Sequence, residues 1–192
     1  MANLRLRGSE RAGEHANPGP AQMTELRTQR LVLKPPTAAD KHAIVDCIGD
    51  FEVARWLSNV PHPYTLADAE EWIDIVAETA SDEVAGFKLS IFMDDTLIGG
   101  VGLNHREGNV YELGYWLGKA YWGRGIATEA ATGLLQHAKQ VLPEAKFVAH
   151  CMKGNPASAR VLEKLGFHVT GETEIQSLSL GAKTPCFELE MK

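Results

Sequence analysis

The sequence predicts an α+β (mixed α/β) domain in which helices pack on a largely antiparallel sheet. Two observations support this prediction. Predicted strands and helices are interspersed along the chain, and three strands follow one another within residues 86–117 through the short turns DD and HREGN. Such turns join antiparallel strands, because parallel neighbours need a long crossover connection. A fully parallel, doubly wound sheet is therefore not expected.

The N-terminal half contains one predicted strand and two predicted helices. RLVLKP at 30–35 alternates apolar and polar residues and ends at a proline, which is typical of a strand. TAAD at 37–40 and TLAD at 65–68 resemble capping boxes with Asp in place of Glu. The first opens a helix that we expect to end near Gly49, and the second precedes the amphipathic stretch AEEWIDIVAETA.

The C-terminal half combines strands with two helices. Strands are predicted at GFKLSIFM, TLIGGVGLN, VYELGYWL, KFVAHC, FHVTGE and CFELEM. A helix is predicted over 128–141, where Leu134, Leu135 and Ala138 have the spacing of a buried face. Another helix covers PASARVLEKLG, with Gly166 as its stop.

Length and composition are those of one ordinary globular domain, with 192 residues, 44% hydrophobic and 23% charged. The net charge of −6 argues against non-specific nucleic-acid binding, which depends on clustered Lys and Arg. No apolar run approaches the ~18 residues of a membrane span, so no membrane partner is expected. Residues 1–22 carry little to bury and are expected to be a disordered tail before a single domain over 23–192.

The cysteines favour a reducing compartment. Cys47, Cys151 and Cys186 are odd in number and form no C-x-x-C pair, so neither a disulfide framework nor a zinc site is expected. Each thiol is predicted to be structural. The N-terminus also lacks the apolar stretch of a signal peptide. These features together predict a cytoplasmic protein that uses no metal.

YWGRGIATEA at 121–130 is the stretch that most restricts the function. Gly123 and Gly125 precede a predicted helix, where backbone N–H groups can close around an anion with help from the helix dipole. A P-loop would need Lys-Ser or Lys-Thr after the second glycine, and neither is present. The dinucleotide fingerprint G-x-G-x-x-G has Thr128 in place of its third glycine. A nucleotide-binding protein is therefore an alternative that this loop supports poorly.

Longer stretches resemble the GNAT superfamily of acyl-CoA-dependent N-acyltransferases. GYWLGKAYWGRGIATEA is similar to its pyrophosphate loop, with Trp122 where Gln or Arg is usual, and NPASARVLEKLGF is similar to a later helix. Trp122, LRTQRLVLKPPTAADKHAI and RWLSNVPHPYTLADAEEWI resemble the subfamily (RimJ/RimL-like) that acts on ribosomal-protein N-termini. The resemblance runs from about Glu25 to the C-terminus. It implies a GNAT-like fold, with about six to seven strands and helices on both faces of the sheet.

The resemblance also implies a site for acetyl-CoA as co-substrate. The pyrophosphate would be held by backbone amides of the loop and helix start, which belong to Arg124, Gly125, Ile126, Ala127 and Thr128. The Arg124 side chain would add charge. The backbone of Trp116 and Leu117, on the preceding strand, would bind the pantetheine and the thioester carbonyl. Asn155 is expected to cap the helix that begins at Pro156 and to contact the pantetheine arm.

Glu112 and Ser158 are the predicted catalytic residues. Glu112 matches the position where many family members carry a general base, and it would also anchor an ammonium group; a structural carboxylate is the alternative. The tyrosine that often acts as the family's acid aligns with Leu162, which cannot donate a proton. Ser158, one turn earlier, is the predicted donor to the thiolate, with a serine bonding local backbone as the alternative. Tyr115 is expected to pack, and His150 to be structural.

The sequence therefore predicts an N-acetyltransferase that moves an acetyl group from acetyl-CoA directly to a primary amine, on a protein N-terminus or a small molecule. The acidic net charge fits a basic protein target. His62 and Tyr64 lie in a segment expected to wall the acceptor pocket. A non-catalytic acyl-CoA-binding regulatory module is the alternative, supported by Leu162. Dimers are common in the family, so a homodimer is compatible with the resemblance, although no apolar repeat requires one.

Overall fold

The computed structural model of the protein describes residues 25–79 and 86–192. The tail predicted at 1–22 lies outside these residues. Within the described ranges the chain forms eight β-strands and five α-helices. The predicted order of elements is confirmed, with one strand and one helix more than the sequence analysis expects.

The first half of the domain contains two short strands and three helices. They are β1 (Leu26–Arg27), β2 (Val32–Lys34), α1 (Lys41–Ile48), α2 (Phe51–Ala54) and α3 (Leu66–Thr79). Both capping boxes are present: the Thr37 amide donates to the Asp40 carboxylate at 2.7 Å, and the Thr65 amide donates to Asp68 at 2.7 Å. The elements that sequence analysis missed are β1 and α2, which are too short to show a period.

The second half contains six strands and two helices. They are β3 (Gly86–Met93), β4 (Thr96–His105), β5 (Val110–Leu117), α4 (Ile126–Val141), β6 (Lys146–Met152), α5 (Pro156–Lys164), β7 (Phe167–Ser177) and β8 (Ala182–Met191). β7 and β8 are longer than predicted. Their added residues pair with each other as a hairpin, as in Ile175 with Thr184, and their polar composition carries no strand signal.

The eight strands form one sheet in the order β1-β2-β3-β4-β5-β6-β8-β7. Neighbouring strands are antiparallel except β5 and β6, which run parallel and pair only over Val110–Glu112 and Lys146–Val148. Beyond these pairs the two strands diverge, and we call the space between residues 113–117 and 149–152 the gap. The gap opens directly beside the segment that leads into α4.

Helices cover both faces of the sheet, as predicted. One face packs against α4 and α5 through a cluster that includes Leu113, Leu134 and Leu162. The other packs against α1, α2 and α3 through a cluster that includes Ile44 and Ile73. We call these the α4–α5 face and the α1–α3 face. Because successive side chains of a strand point to opposite faces, neighbouring residues of β5 contribute to different clusters.

Candidate active site

The glycine loop joins the end of β5 to the start of α4. Gly123 and Gly125 have φ values of 72° and 74°, a left-handed conformation that favours glycine. Gly125 is also the N-cap of α4, so no cap side chain binds the amides of the first turn. Ile126 is buried and can serve a ligand only through its backbone. The amides up to Thr128 are therefore directed at the loop, where an anion would bind.

A cluster that sequence analysis did not identify ties this loop to the N-terminal strands. Arg30 donates to the Glu129 carboxylate through Nε at 2.7 Å and to the Arg124 carbonyl through Nη1 at 3.2 Å. Glu129 also accepts from the Arg30 amide at 2.8 Å and from the Thr28 hydroxyl at 2.6 Å. Burial opposes ionisation of Glu129, but these hydrogen bonds outweigh it and hold its pKa below the usual value. The carboxylate therefore fixes the first turn of α4.

The two large side chains of the loop have structural contacts. The Trp122 indole donates to the Leu117 carbonyl at 2.8 Å, which fastens the loop to the end of β5. The Arg124 guanidinium is exposed and lies 5.7 Å from the centroid of the Tyr121 ring. From this position the Arg124 guanidinium can approach a phosphate bound by the loop.

Backbone groups at the end of β5 face either β4 or the gap. The Gly118 amide donates to the Ile98 carbonyl at 2.9 Å. Along an antiparallel ladder, residues whose backbone groups bond to the neighbouring strand alternate with residues whose backbone groups point away from it. Trp116, opposite Gly100, therefore directs its backbone to β4, whereas Leu117 directs its amide to the gap. Of the two residues predicted to bind pantetheine through their backbone, this pairing favours Leu117. The Trp116 side chain packs with the cluster on the α1–α3 face.

Glu112 lies at the last paired position before the gap and is held by two neighbouring side chains. One oxygen accepts from His150 Nδ1 at 2.8 Å, and the other accepts from Arg106 Nε at 2.6 Å and from Arg106 Nη2. The Glu112 side chain is 16% exposed. Burial opposes its ionisation most strongly, but the hydrogen bonds and charges of His150 and Arg106 outweigh burial, so the pKa of Glu112 lies below its usual value. Glu112 is therefore ionised at neutral pH.

His150 lies on β6, two residues beyond the last pair with β5, on the same face as Glu112. The sequence alone favours a structural role, since its partner is 38 residues away in the chain. The hydrogen bond with Glu112 raises the pKa of His150, and the nearby charge of Glu188 adds to this, while burial and Arg106 act in the opposite direction. Glu112 and His150 thus form a polar pair at the closed end of the gap, where β5 and β6 begin to diverge.

The start of α5 borders the other side of the gap. Asn155 accepts from the Ser158 amide at 3.0 Å, with Pro156 at the first helical position, which confirms the predicted cap. The Ser158 hydroxyl lies 2.9 Å from the Tyr115 hydroxyl, which also donates to the Ser158 carbonyl at 3.2 Å. Ser158 is therefore joined to β5 across the gap. Leu162 is 1% exposed and belongs to the core.

Tyr115 both packs, as expected, and contributes a polar group that the sequence analysis missed. Its ring contacts the cluster on the α4–α5 face, opposite Glu112. Burial raises the pKa of Tyr115 to about 12, so its hydroxyl stays protonated at neutral pH. No pattern in the sequence could reveal its contact with Ser158, 43 residues away.

The segment after α2 and the β7–β8 hairpin meet on the α1–α3 face. The Leu178 amide donates to the Ser58 carbonyl at 2.9 Å, and the Ser179 hydroxyl donates to the Ala54 carbonyl at 3.0 Å. The His62 ring lies 5.0 Å from that of Phe51, and Tyr64 packs against the cluster under α1 and α3. Tyr64 thus packs on the face of the sheet to which Glu112 and His150 belong, and the role of His62 and Tyr64 in an acceptor pocket stays a prediction.

Other chemical groups of the described residues form no obvious site. Within 25–79 and 86–192 no three His, Cys, Asp or Glu side chains are grouped to hold a metal ion. Burial raises the pKa of all three cysteine thiols, which disfavours the reactive thiolate. No helix in this part of the chain is long and apolar enough to cross a membrane.

Comparisons with known proteins identify the family of the chain. A family model described as an acetyltransferase (GNAT) domain matches residues 30–168. The uncharacterised N-acetyltransferase YoaA of Bacillus subtilis is 30% identical over 157 residues, which cover 76% of this chain and 84% of that protein. A ribosomal-protein-serine acetyltransferase of Escherichia coli is 36% identical over 83 residues, or 42% of this chain and 46% of that protein.

A solved structure shares the fold. The microcin C7 self-immunity acetyltransferase MccE, determined in complex with acetyl-CoA and AMP, aligns with a TM-score of 0.73. The alignment covers 85% of this chain and 92% of MccE at 19% identity. Similarity at this level concerns the arrangement of strands and helices.

Proposed function

Since the chain belongs to the acetyltransferase (GNAT) family and is an N-acetyltransferase, we propose that it moves the acetyl group of acetyl-CoA directly to a protein N-terminal amine. The observation that carries this proposal is the ionised Glu112, paired with His150, at the closed end of the gap. A relative that acts on ribosomal-protein serine supports the choice of acceptor. Small-molecule amines are the second class of acceptor.

The elements around the gap suit the pyrophosphate, the pantetheine and the thioester of acetyl-CoA. The amides from Arg124 to Thr128 suit the pyrophosphate, because they lie at the start of α4 behind two left-handed glycines. The Leu117 amide faces the gap, where the pantetheine and thioester would lie. Asn155 and Ser158 approach the same space from α5. The phosphates would thus bind outside the gap and the thioester inside it.

Direct transfer suits these residues because a thioester is already electrophilic. The protein has to orient the amine, accept its proton and stabilise the departing thiolate. An amine with an ordinary pKa arrives mostly as ammonium, which the ionised Glu112 attracts. Glu188 and Glu190 on β8 lie on the same face as His150 and add negative charge. These carboxylates favour a cationic acceptor.

Ser158 is proposed to stabilise the thiolate. When the Tyr115 hydroxyl donates to Ser158 Oγ rather than to the Ser158 carbonyl, the serine O–H can point into the gap. A thiol with a pKa of roughly 8.5 is a good leaving group, so one hydrogen bond is sufficient assistance. Leu162 in place of the family's tyrosine is therefore compatible with turnover.

The reaction is proposed to take place in the cytoplasm. Cys47, Cys151 and Cys186 are free thiols. Reduced cysteines suit that compartment, where an N-terminal amine also becomes available during synthesis.

The proposal is tested by incubating the protein with acetyl-CoA and three acceptors: a peptide with a free N-terminal serine, one with a free N-terminal alanine, and an alkyl monoamine. Intact mass should show one added acetyl group on a peptide. Glu112→Gln should lower turnover by about tenfold or more while acetyl-CoA affinity is nearly unchanged. Glu172→Gln, at an exposed carboxylate on β7, is the matched control and should behave as wild type.

Two outcomes would contradict the proposal. Acetyl-CoA binding without acetylation of any of the three acceptors would favour the regulatory acyl-CoA-binding module. Unchanged turnover in Glu112→Gln would remove Glu112 from the mechanism.

A further inference from the structure

The Glu112–His150 pair at the closed end of the gap contains a better proton acceptor than the carboxylate. Glu112 is ionised, and it is hydrogen-bonded by both Arg106 and His150. Each of these bonds makes the carboxylate less basic. His150 contacts Glu112 through Nδ1 only, so its second ring nitrogen is not used by that bond.

From this geometry, and resting on the proposed function, we infer that His150 is the general base and that Glu112 positions it. An ionised carboxylate only accepts hydrogen bonds, so Nδ1 of the neutral ring must carry the hydrogen in the bond to Glu112. The same tautomer makes Nε2 the acceptor. Glu112 therefore selects the ring tautomer in which Nε2 can take a proton from the amine.

The position of His150 in the sheet suits this role. β5 and β6 are last paired at Glu112 and Val148, and His150 follows two residues later, on the same face and beside the gap. Its side chain is 29% exposed, so the ring is held in place but can be reached by a substrate. Glu188 lies opposite His150 on β8 and adds attraction for an ammonium group.

The proton balance of the step is simple. An ammonium acceptor passes one proton to Nε2 of His150, and the freed nitrogen lone pair forms a bond to the thioester carbonyl carbon. The carbon–sulfur bond then breaks and the thiolate departs. The nitrogen still carries one proton more than the amide product, and it releases this proton. The thiolate takes up one proton and becomes the thiol of coenzyme A. The products are the N-acetylated amine, coenzyme A and protonated His150, which returns its proton to solvent.

The surrounding charges predict how the pH dependence should change. Glu112 and Glu188 favour the protonated ring, whereas Arg106 disfavours it. Removing Glu112 should therefore lower the pKa of His150 and move the acidic limb of kcat/KM to lower pH. Removing Arg106 should raise that pKa and move the limb to higher pH. A structural role for His150 predicts neither movement.

The experiment compares wild type with His150→Gln, Glu112→Gln and Arg106→Gln, using the peptide acceptor of highest turnover. The pH profile of kcat/KM is measured for each, and the His150 ring is titrated by NMR in the three proteins that retain it. Titration of the acceptor is common to every profile, so differences between variants come from the protein. The increase in melting temperature caused by acetyl-CoA confirms that each variant is folded.

We expect His150→Gln to lower kcat by about 100-fold with little change in acetyl-CoA affinity. The acidic limbs of the kcat/KM profiles of Glu112→Gln and Arg106→Gln should move in opposite directions. Each should move with the pKa of His150 that NMR measures in the same variant. Turnover of His150→Gln close to wild type, or limbs that do not follow the ring, would overturn the inference while the proposed function stands. Absence of wild-type turnover would instead overturn the proposed function. If His150→Gln does not fold, the opposite movements of the acidic limbs in Glu112→Gln and Arg106→Gln still test the inference.

Discussion

At the scale of single residues, two hydroxyl groups occupy the side of the gap where a thiolate would leave. The Ser158 hydroxyl lies 2.9 Å from that of Tyr115, and burial keeps Tyr115 protonated by raising its pKa to about 12. Tyr115 has a single hydrogen, which can go to either the carbonyl or the hydroxyl of Ser158. When it goes to the hydroxyl, the serine's own hydrogen remains for the sulfur. The two side chains together supply a donor in a protein whose Leu162 cannot act as one.

Ser158→Ala should reduce kcat modestly, by about fivefold, because it removes a hydrogen bond worth about 1 kcal/mol. Tyr115→Phe should have a smaller effect in the same direction, since it keeps the serine. Initial rates with acetyl-CoA and the peptide acceptor measure both. Thr170→Ala, which removes an exposed hydroxyl from β7, is the control and should match wild type. An unchanged rate in Ser158→Ala would mean that solvent protonates the thiolate.

At the scale of elements, the start of α4 depends on a contact with the segment between β1 and β2. Arg30 binds the Glu129 side chain and the Arg124 carbonyl, so a single guanidinium joins the helix to the glycine loop. Without it, the loop amides would sample orientations that do not converge on one anion. We therefore expect the Arg30–Glu129 pair to preorganise the pyrophosphate site.

Arg30→Gln and Glu129→Gln should each weaken acetyl-CoA binding by about tenfold, equal to about 1.4 kcal/mol. At saturating acetyl-CoA, kcat should remain close to wild type, because the pair lies away from the reacting atoms. Calorimetric titration and steady-state kinetics separate the two quantities. Arg27→Gln is the matched control, since Arg27 ends β1 shortly before Arg30, and its ion pair within the described part of the chain is with the nearby Glu25. Equal affinity in Arg30→Gln and Arg27→Gln would show that the pair has no role in binding.

At the scale of the whole molecule, local signals predicted the elements well. The Thr65–Asp68 box lies at the start of α3, and the Thr37–Asp40 box opens a 3₁₀ turn (Ala38–Asp40) that leads directly into α1. Both are predictable because a capping box is a contact between residues three apart. The two-residue strand β1 was missed, since it exists only by pairing with β2. The loop at 121–130 was identifiable because glycine at a helix start has a direct physical meaning.

Contacts between distant residues set the limit of sequence reasoning. Glu112 and Ser158 were named as separate residues, but their partners His150 and Tyr115 are 38 and 43 positions away. The pairing of β5 with β6 brings His150 to Glu112, and the packing of α5 brings Ser158 to Tyr115. The pairing of β4 with β5 likewise decides that Leu117, rather than Trp116, presents its backbone to the gap.

The measurement that tests the account most directly is thermal unfolding of the whole protein with acetyl-CoA, CoA, ATP or NAD. A ligand at about 100 times its Kd stabilises a protein by about 2.7 kcal/mol, or about 5–11 °C in Tm for a domain of this size. We predict a shift of this order with acetyl-CoA and CoA and none with the other two. A shift with ATP or NAD, and none with acetyl-CoA or CoA, would mean that the glycine loop binds another phosphate and would contradict the account.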